Sequence, residues 1–198
     1  MLVDVSFSKK LYFSQLNKHS FKFFNIFLMS IQAAFVKSPL GIIVIKATEE
    51  LVQSVLFLNT LKHPQKKENI ITSTEELYPL LSECKTQLEQ YFEGTRFQFD
   101  LPVKQAGTAF QQKVWTTLLS IPYGKTSSYL DVSKQIGNIK ATRAVGTTNG
   151  CNQVSIIVPC HRVIGSNGAL TGYGGDLWRK KWLLEHENKY ANGVQTLF

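Results

Sequence analysis

The chain has 198 residues, 43 % of them hydrophobic and 18 % charged, with a formal net charge of +8. That length buries a substantial core as one large domain or two small ones, and the composition is that of a soluble globular protein. Its three cysteines, Cys84, Cys151 and Cys160, lack a tight spacing pattern, which argues against a disulfide framework or a zinc-thiolate site and implies a reducing, intracellular compartment.

Charge is unevenly spread. Residues 1–28 carry four Lys against one acid, residues 29–100 carry seven basic and nine acidic groups, and residues 101–198 carry eleven basic and four acidic groups. A polyanion is the natural candidate partner for the last segment, the alternative being a basic surface without a specific ligand. In residues 1–28, Lys9, Lys10, Lys18 and Lys22 alternate with Phe7, Tyr12, Phe13, Phe21, Phe23 and Phe24. The apolar stretch near Phe27-Leu28-Met29 is too short for a membrane span or a signal h-region, so no membrane association is expected. The segment reads as a poorly ordered extension, or as residues upstream of a start at Met29.

Ile31 to Lys46 reads as two strands around a turn at Ser38-Pro39-Leu40-Gly41, with a third strand at Val52 to Leu58. Residues 60–72 are polar and read as a loop. From Ser73 to Phe92 the apolar residues Leu77, Leu80, Leu81, Cys84, Leu88 and Tyr91 recur at helical intervals, which makes Cys84 a small core residue. Phe92 to Val103 is extended and contains Pro102, and serves as a linker. The expected organisation is an α/β domain with its linker over 29–100, a second domain over 101–190 and a tail at 191–198.

The second domain opens on a capping box, Thr108-Ala109-Phe110-Gln111, followed by a helix with Phe110, Val114, Leu118 and Leu119 on one face and Trp115 alongside. It stops at Ile121-Pro122-Tyr123-Gly124. Two short helices follow, Ser127 to Ile136 and Lys140 to Thr148, separated by Gly137-Asn138 and ended by Asn149-Gly150. This is the helix-turn-helix pattern. Its second helix offers Lys140, Thr142, Arg143 and Thr147 but no Asn, Gln or second Arg to read base edges, which suits backbone-dominated DNA binding with little sequence preference. Arg143 is either a wedge into the base stack or an ordinary surface cation.

Val154-Ser155-Ile156-Ile157-Val158 reads as a buried strand stopped by Pro159, placing Cys160 at a strand end beside His161. A free thiol titrates at about 8.5, so reactivity requires a base or a positive field. Side chains adjacent on an extended chain face opposite sides, so His161 reaches Cys160 only through a turn or a bridging water. That adjacency is the wrong arrangement for the direct ion pair of a Cys-His hydrolase. A carboxylate orienting the imidazole would complete a relay, and Asp176, Glu185 and Glu187 are the acids available. Asp176 to Asn188 reads as a helix with Leu177, Trp178, Trp182, Leu183 and His186 at its apolar positions, and Glu187 at its end.

These residues resemble the O6-alkylguanine-DNA alkyltransferases, also called methylated-DNA–protein-cysteine methyltransferases. Pro159-Cys160-His161-Arg162-Val163-Ile164 resembles their active-site motif. The likeness runs through Ile121-Pro122-Tyr123-Gly124-Lys125-Thr126, Ser128-Tyr129, Ala141-Thr142-Arg143-Ala144-Val145-Gly146 and Asn149-Gly150. It continues through Thr171-Gly172-Tyr173-Gly174-Gly175 and Trp182-Leu183-Leu184-Glu185-His186-Glu187, covering residues 105–188 in order. Residues before 105 are similar only loosely, through Ser38-Pro39-Leu40-Gly41 and the strands.

The resemblance implies an α/β fold: a small ribonuclease-H-like α/β domain, then a mainly helical winged helix-turn-helix domain carrying the reactive cysteine. It implies direct-reversal DNA repair, with irreversible transfer of a methyl or other small alkyl group from guanine O6 to Cys160 after base flipping; thymine O4 is a second candidate. His161 would draw off the thiol proton through a water, held by Glu187, and Asn152 would be a hinge. Tyr129 would turn the target phosphate and protonate guanine N3, and Arg143 would fill the vacated stack, with Ala141 and Thr142 beside it on the DNA. Tyr173, Gly174 and Val163 would line the guanine pocket, with Lys180 near the thiol. Ser155 stands where some relatives have proline, so the alkyl range is open. No metal or cofactor is implied, because the four-cysteine and zinc sites of other relatives are missing. The expected partner is alkylated double-stranded DNA, bound through the minor groove by a monomer inside the cell, in the cytoplasm with the nucleoid if the source is prokaryotic. The runner-up is an alkyltransferase-like lesion sensor, which lacks the acceptor thiol that Cys160 supplies.

Overall fold

The computed structural model describes residues 31–58 and 77–192. The expectations for residues 1–28, for the loop at 60–72 and for the tail beyond 192 lie outside the described residues. The described residues from Gln32 to Asn192 belong to one compact unit.

Strands β1 (Gln32–Ser38), β2 (Gly41–Ala47) and β3 (Val52–Phe57) form an antiparallel sheet in that order. Ala34 and Val36 of β1 face the core while Phe35 and Lys37 face outward, the two-residue period that fixes strand register. Helix α1 (Pro79–Glu93) covers the buried face with Leu81, Cys84, Leu88 and Tyr91. Leu77 and Tyr78 precede it without helical structure, and Pro79 occupies the first turn, where a missing N–H costs nothing; the expected helical residues 73–76 lie outside the described residues. The free edge of β3 is taken up by isolated parallel bridges from Val52 to Val103 and from Val55 to Val154. The chain after α1 is therefore tied into the sheet.

Helix α2 (Ala109–Leu119) has the predicted reciprocal Thr108–Gln111 capping box. Val114, Trp115 and Leu118 are buried, whereas Leu119 is exposed, one position off the buried stripe. Ser127–Ser128 (β4) pairs in parallel with Val163–Ile164 (β5). Helix α3 (Tyr129–Gln135) is capped by Ser128, whose hydroxyl accepts from the Asp131 amide. A single 3-10 turn, Ile139–Ala141, leads into α4 (Thr142–Gly150), completing the helix-turn-helix. Asn149 and Gly150 are the last two residues of α4, so the helix runs two residues beyond the expected Thr148 before it ends, and the Asn149 side chain is held inside by bonds of its own.

Two expectations change. The β-branched run Val154–Val158 is buried throughout but is no strand. It folds back on itself: Val158 N donates to Val154 O and Ile157 N to Ser155 O, with Ile156 at φ 72°. Burial, and not strand pairing, accounts for its apolar character. The last helix, α5 (Leu177–Asn192), buries Arg179, Lys180, Leu183, His186 and Glu187, while Leu177 and Trp178 are exposed. Its inner face is largely polar because it supplies the site.

Candidate active site

Cys160–Arg162 forms a 3-10 turn after Pro159, so Cys160 and His161 are presented by a turn. Cys160 is buried and lines a cavity with Leu56, Phe57, Asn149, Asn152, Ser155, Tyr173, Gly174 and Gly175. The Asn152 amide donates to Cys160 Sγ at 2.9 Å and to Val158 O at 2.8 Å, while its Oδ1 accepts from Val154 N at 3.0 Å. Asn149 Nδ2 donates to the Cys160 carbonyl at 3.0 Å and sits 3.4 Å from Gly172 O. Two asparagines at the end of α4 thus hold the cysteine turn. Burial pushes the Cys160 thiol up to about 11, with the Asn152 bond and the Lys180 ammonium pulling the other way.

His161 is fully buried, and its Nε2 lies 2.7 Å from Glu187 Oε1. Glu187 sits inside α5, which continues to Asn192, and not at the helix end expected of it. Its carboxylate gathers further donors. Arg162 forks onto both oxygens at 2.9 and 3.0 Å, the Tyr91 hydroxyl donates to Oε1 at 2.9 Å, and Gly124 N donates to Oε2 at 3.0 Å. Burial alone would raise this carboxyl, but His161 and Arg162 outweigh it and hold it well below the carboxylate range. Burial also lowers His161 against the opposing pull of Glu187. A neutral imidazole beside an ionised carboxylate donates from Nε2 and leaves Nδ1 as the acceptor. Nδ1 is buried and has no partner among the described residues, so its lone pair is available to a proton.

Tyr129, at the start of α3, donates to Thr171 O at 2.7 Å. This close approach requires glycine at 172: that residue has φ 65°, and a Cβ there would stand 2.6 Å from the Tyr129 hydroxyl. The buried Lys180 ammonium binds Val163 O and Thr171 O at 2.5 and 2.6 Å and lies 3.5 Å from the Tyr129 hydroxyl. Burial pulls it down to about 8, with Cys160 opposing. Arg179 donates to Leu40 O, pairs with Asp176 at 2.6 Å and lies over the Phe57 ring, joining the β1–β2 turn and the cavity wall to α5.

Of the expected residues, Cys160, Asn152, Ser155, Tyr173 and Gly174 share the cavity wall, whereas Val163 and Lys180 are buried without lining it. His161 and Glu187 meet directly. Arg143 is exposed near the start of α4, with Ala141 and Thr142 half-buried beside it. Reading the sequence missed Arg162, Asn149, Tyr91, Gly124, Leu56 and Phe57. Arg162 stood within the cysteine motif and Asn149 three residues before Asn152, so both had a local signal. Tyr91 had none, being 96 residues from Glu187. Among the described residues, no cluster of three His, Cys, Asp or Glu is arranged to hold a metal, and no helix is long and apolar enough to cross a membrane.

The chain matches two family descriptions. "6-O-methylguanine DNA methyltransferase, ribonuclease-like domain" matches residues 31–105, and the DNA binding domain of the same name matches residues 109–189. It is 47 % identical over 139 residues to a Bacillus subtilis protein named methylated-DNA–protein-cysteine methyltransferase, constitutive, covering 70 % of this chain and 84 % of that one. A Methanosarcina acetivorans methylated-DNA–protein-cysteine methyltransferase is 44 % identical over 154 residues, covering 78 % and 96 %. The crystal structure of Mycobacterium tuberculosis O6-methylguanine methyltransferase superposes with a TM-score of 0.71 at 39 % identity, over 83 % of this chain and 97 % of that one. Mycobacterium tuberculosis OGT in complex with DNA gives a TM-score of 0.68 at 38 % identity, over 80 % and 94 %.

Proposed function

The chain belongs to the 6-O-methylguanine DNA methyltransferase family, and from that premise we propose that Cys160 is its alkyl acceptor. The protein is a DNA-binding repair enzyme that reverses guanine O6 alkylation by transferring the group to its own cysteine. The observation that carries the assignment is a buried thiol in a cavity wall, 2.9 Å from the Asn152 amide, followed in sequence by a histidine paired with a buried carboxylate.

The target methyl is hidden in a duplex, so the nucleotide is flipped out, at a cost of a few kcal/mol that poor pairing of the alkylated base reduces. The helix-turn-helix presents Ala141, Thr142 and Arg143 to the minor groove, and Arg143 fills the stack. Residues 29–100 and 101–190 act as two domains of one monomer. Ser155, Tyr173 and Gly174 hold the guanine, with Val163 and Lys180 supporting Tyr129 and the Thr171 backbone. The Cys160 proton passes through a bridging water to His161 Nδ1, and Glu187 stabilises the imidazolium. The sulfur electron pair forms the S–C bond in line as the C–O6 bond breaks, which requires an approach of roughly 3–3.5 Å. Tyr129 gives its proton to guanine N3, leaving a phenolate 3.5 Å from Lys180 Nζ. The thioether has no exit, so each molecule reacts once.

Intact mass after incubation with an O6-methylguanine duplex tests this. One methyl gained on Cys160, and none in Cys160→Ala, is expected. Folded wild-type protein that binds the duplex without gaining mass would instead be a lesion sensor.

A further inference from the structure

The Glu187 carboxylate sits at the meeting point of three elements, and one of its donors comes from outside the reactive half of the chain. Tyr91 lies on α1, fully buried, among the rings of Phe92, Phe99, Tyr123 and His186 at 5.3–6.0 Å. Its backbone carbonyl accepts from His186 Nε2 at 2.7 Å, which fixes the end of α1 on α5. With ring and backbone both anchored, its hydroxyl has one partner among the described residues, Glu187 Oε1 at 2.9 Å. This is the same oxygen that His161 Nε2 contacts at 2.7 Å.

We propose that Tyr91 is a positioning residue for alkyl transfer, setting the proton affinity of His161 by sharing the Glu187 oxygen that holds the imidazole. This rests on the reading of His161 as the proton acceptor. A carboxylate oxygen already engaged by a neutral O–H donor has less negative charge free to attract an imidazolium. Burial and the neighbouring carboxylate raise the Tyr91 phenol well above its ordinary range, so it stays a donor throughout the working pH range. The other groups around the pair are Arg162 and Lys180 as cations, the Cys160 thiol, the Tyr123 phenol and His186. Each of these is unchanged by removing one hydroxyl from Tyr91. The α/β half thereby takes part in the chemistry of the cysteine, through one hydrogen bond.

The test is Tyr91→Phe in the full chain, read by the nuclear magnetic resonance titration of the His161 ring and by the pH dependence of methyl transfer from an O6-methylguanine duplex. The His161 midpoint is expected to rise by about one pH unit, and the acid limb of the rate profile to rise with it. Site-specific 3-fluorotyrosine at position 91 keeps the packing and strengthens the donor, so it should move the midpoint down, and it serves if the Phe variant folds poorly. A merely structural tyrosine would lower the melting temperature and leave both midpoints in place, which would overturn the proposal. A His161 midpoint that moves while the rate limb stays fixed would support the coupling and count against His161 as the base.

Discussion

Asn152 Nδ2 lies 2.9 Å from Cys160 Sγ and 2.8 Å from the Val158 carbonyl, so one amide holds both the thiol and the turn that presents it. Burial raises the thiol to about 11, and the Asn152 hydrogen bond is the first of the effects that oppose it. Asn152→Ala therefore removes support for the thiolate and leaves the Val154 amide without its partner, while the Val158 carbonyl keeps its bond from the Cys160 amide. Methyl transfer at neutral pH should slow by roughly 10- to 100-fold, one to two pKa units' worth. Stability should fall by about 1–3 kcal/mol. Rates on an O6-methylguanine duplex together with urea unfolding check both, and a stability loss at unchanged rate would remove the electrostatic role.

Glu187 and Arg162 form a buried ion pair at 2.9 Å, with His161 on the same carboxylate. Glu187→Gln leaves the guanidinium buried without a counter-charge and should cost about 3–5 kcal/mol in urea unfolding. The double variant Arg162→Met, Glu187→Leu removes both charges and should recover part of that loss, while still transferring methyl slowly because His161 has no carboxylate. A double variant as unstable as the single one would show that packing, not the unpaired charge, dominates.

The contrast between these residues explains what the sequence could and could not reveal. Cys160, His161 and Arg162 are contiguous, and Asn149 and Asn152 close α4, so a motif exposes them. The sheet and the α2 cap were legible because two-residue alternation and a Thr108–Gln111 box are local signals. The Val154–Val158 run misled because burial and strand formation select the same β-branched residues, and only Ile156 at φ 72° separates them. Helix α5 misled for the opposite reason. Its inner face holds Arg179, Lys180 and Glu187, each satisfied by a partner distant in sequence, so hydrophobic periodicity pointed to exposed Leu177 and Trp178. Tyr91 reads as a core aromatic, which it is; its hydroxyl acquires a role only when α1 is laid against α5.

The acid side of the stability profile follows from the same pair. Burial lowers His161 below its ordinary 6.5, so below that pH the unfolded chain binds a proton that the folded one refuses. Glu187 is held well below its ordinary 4.5, so the unfolded chain again takes up the proton first. Both make stability fall as pH drops, beginning near 6.5 and steepening below 4.5. Melting temperatures across pH 7 to 4 should show this order. His161→Gln should flatten the first part; an unchanged slope in that variant would exclude the histidine as its source.

Arg143 is the opposite of these buried groups. It stands exposed in the first turn of α4, and among the described residues no carboxylate is ion-paired to it. Its backbone carbonyl accepts from Thr147 Oγ1 at 3.3 Å. Among the described residues nothing therefore depends on the guanidinium, and Arg143→Ala should leave the unfolding free energy within about 0.5 kcal/mol of wild type. Its effect should appear only where a base must be taken out of a stack. Repair of duplex O6-methylguanine should slow by roughly a few kcal/mol's worth, the cost of unstacking that the side chain would otherwise offset. Reaction with free O6-benzylguanine should be unchanged, since that base needs no flipping. Equal losses on the duplex and on the free base would place the defect in the cavity and take the wedge role from Arg143.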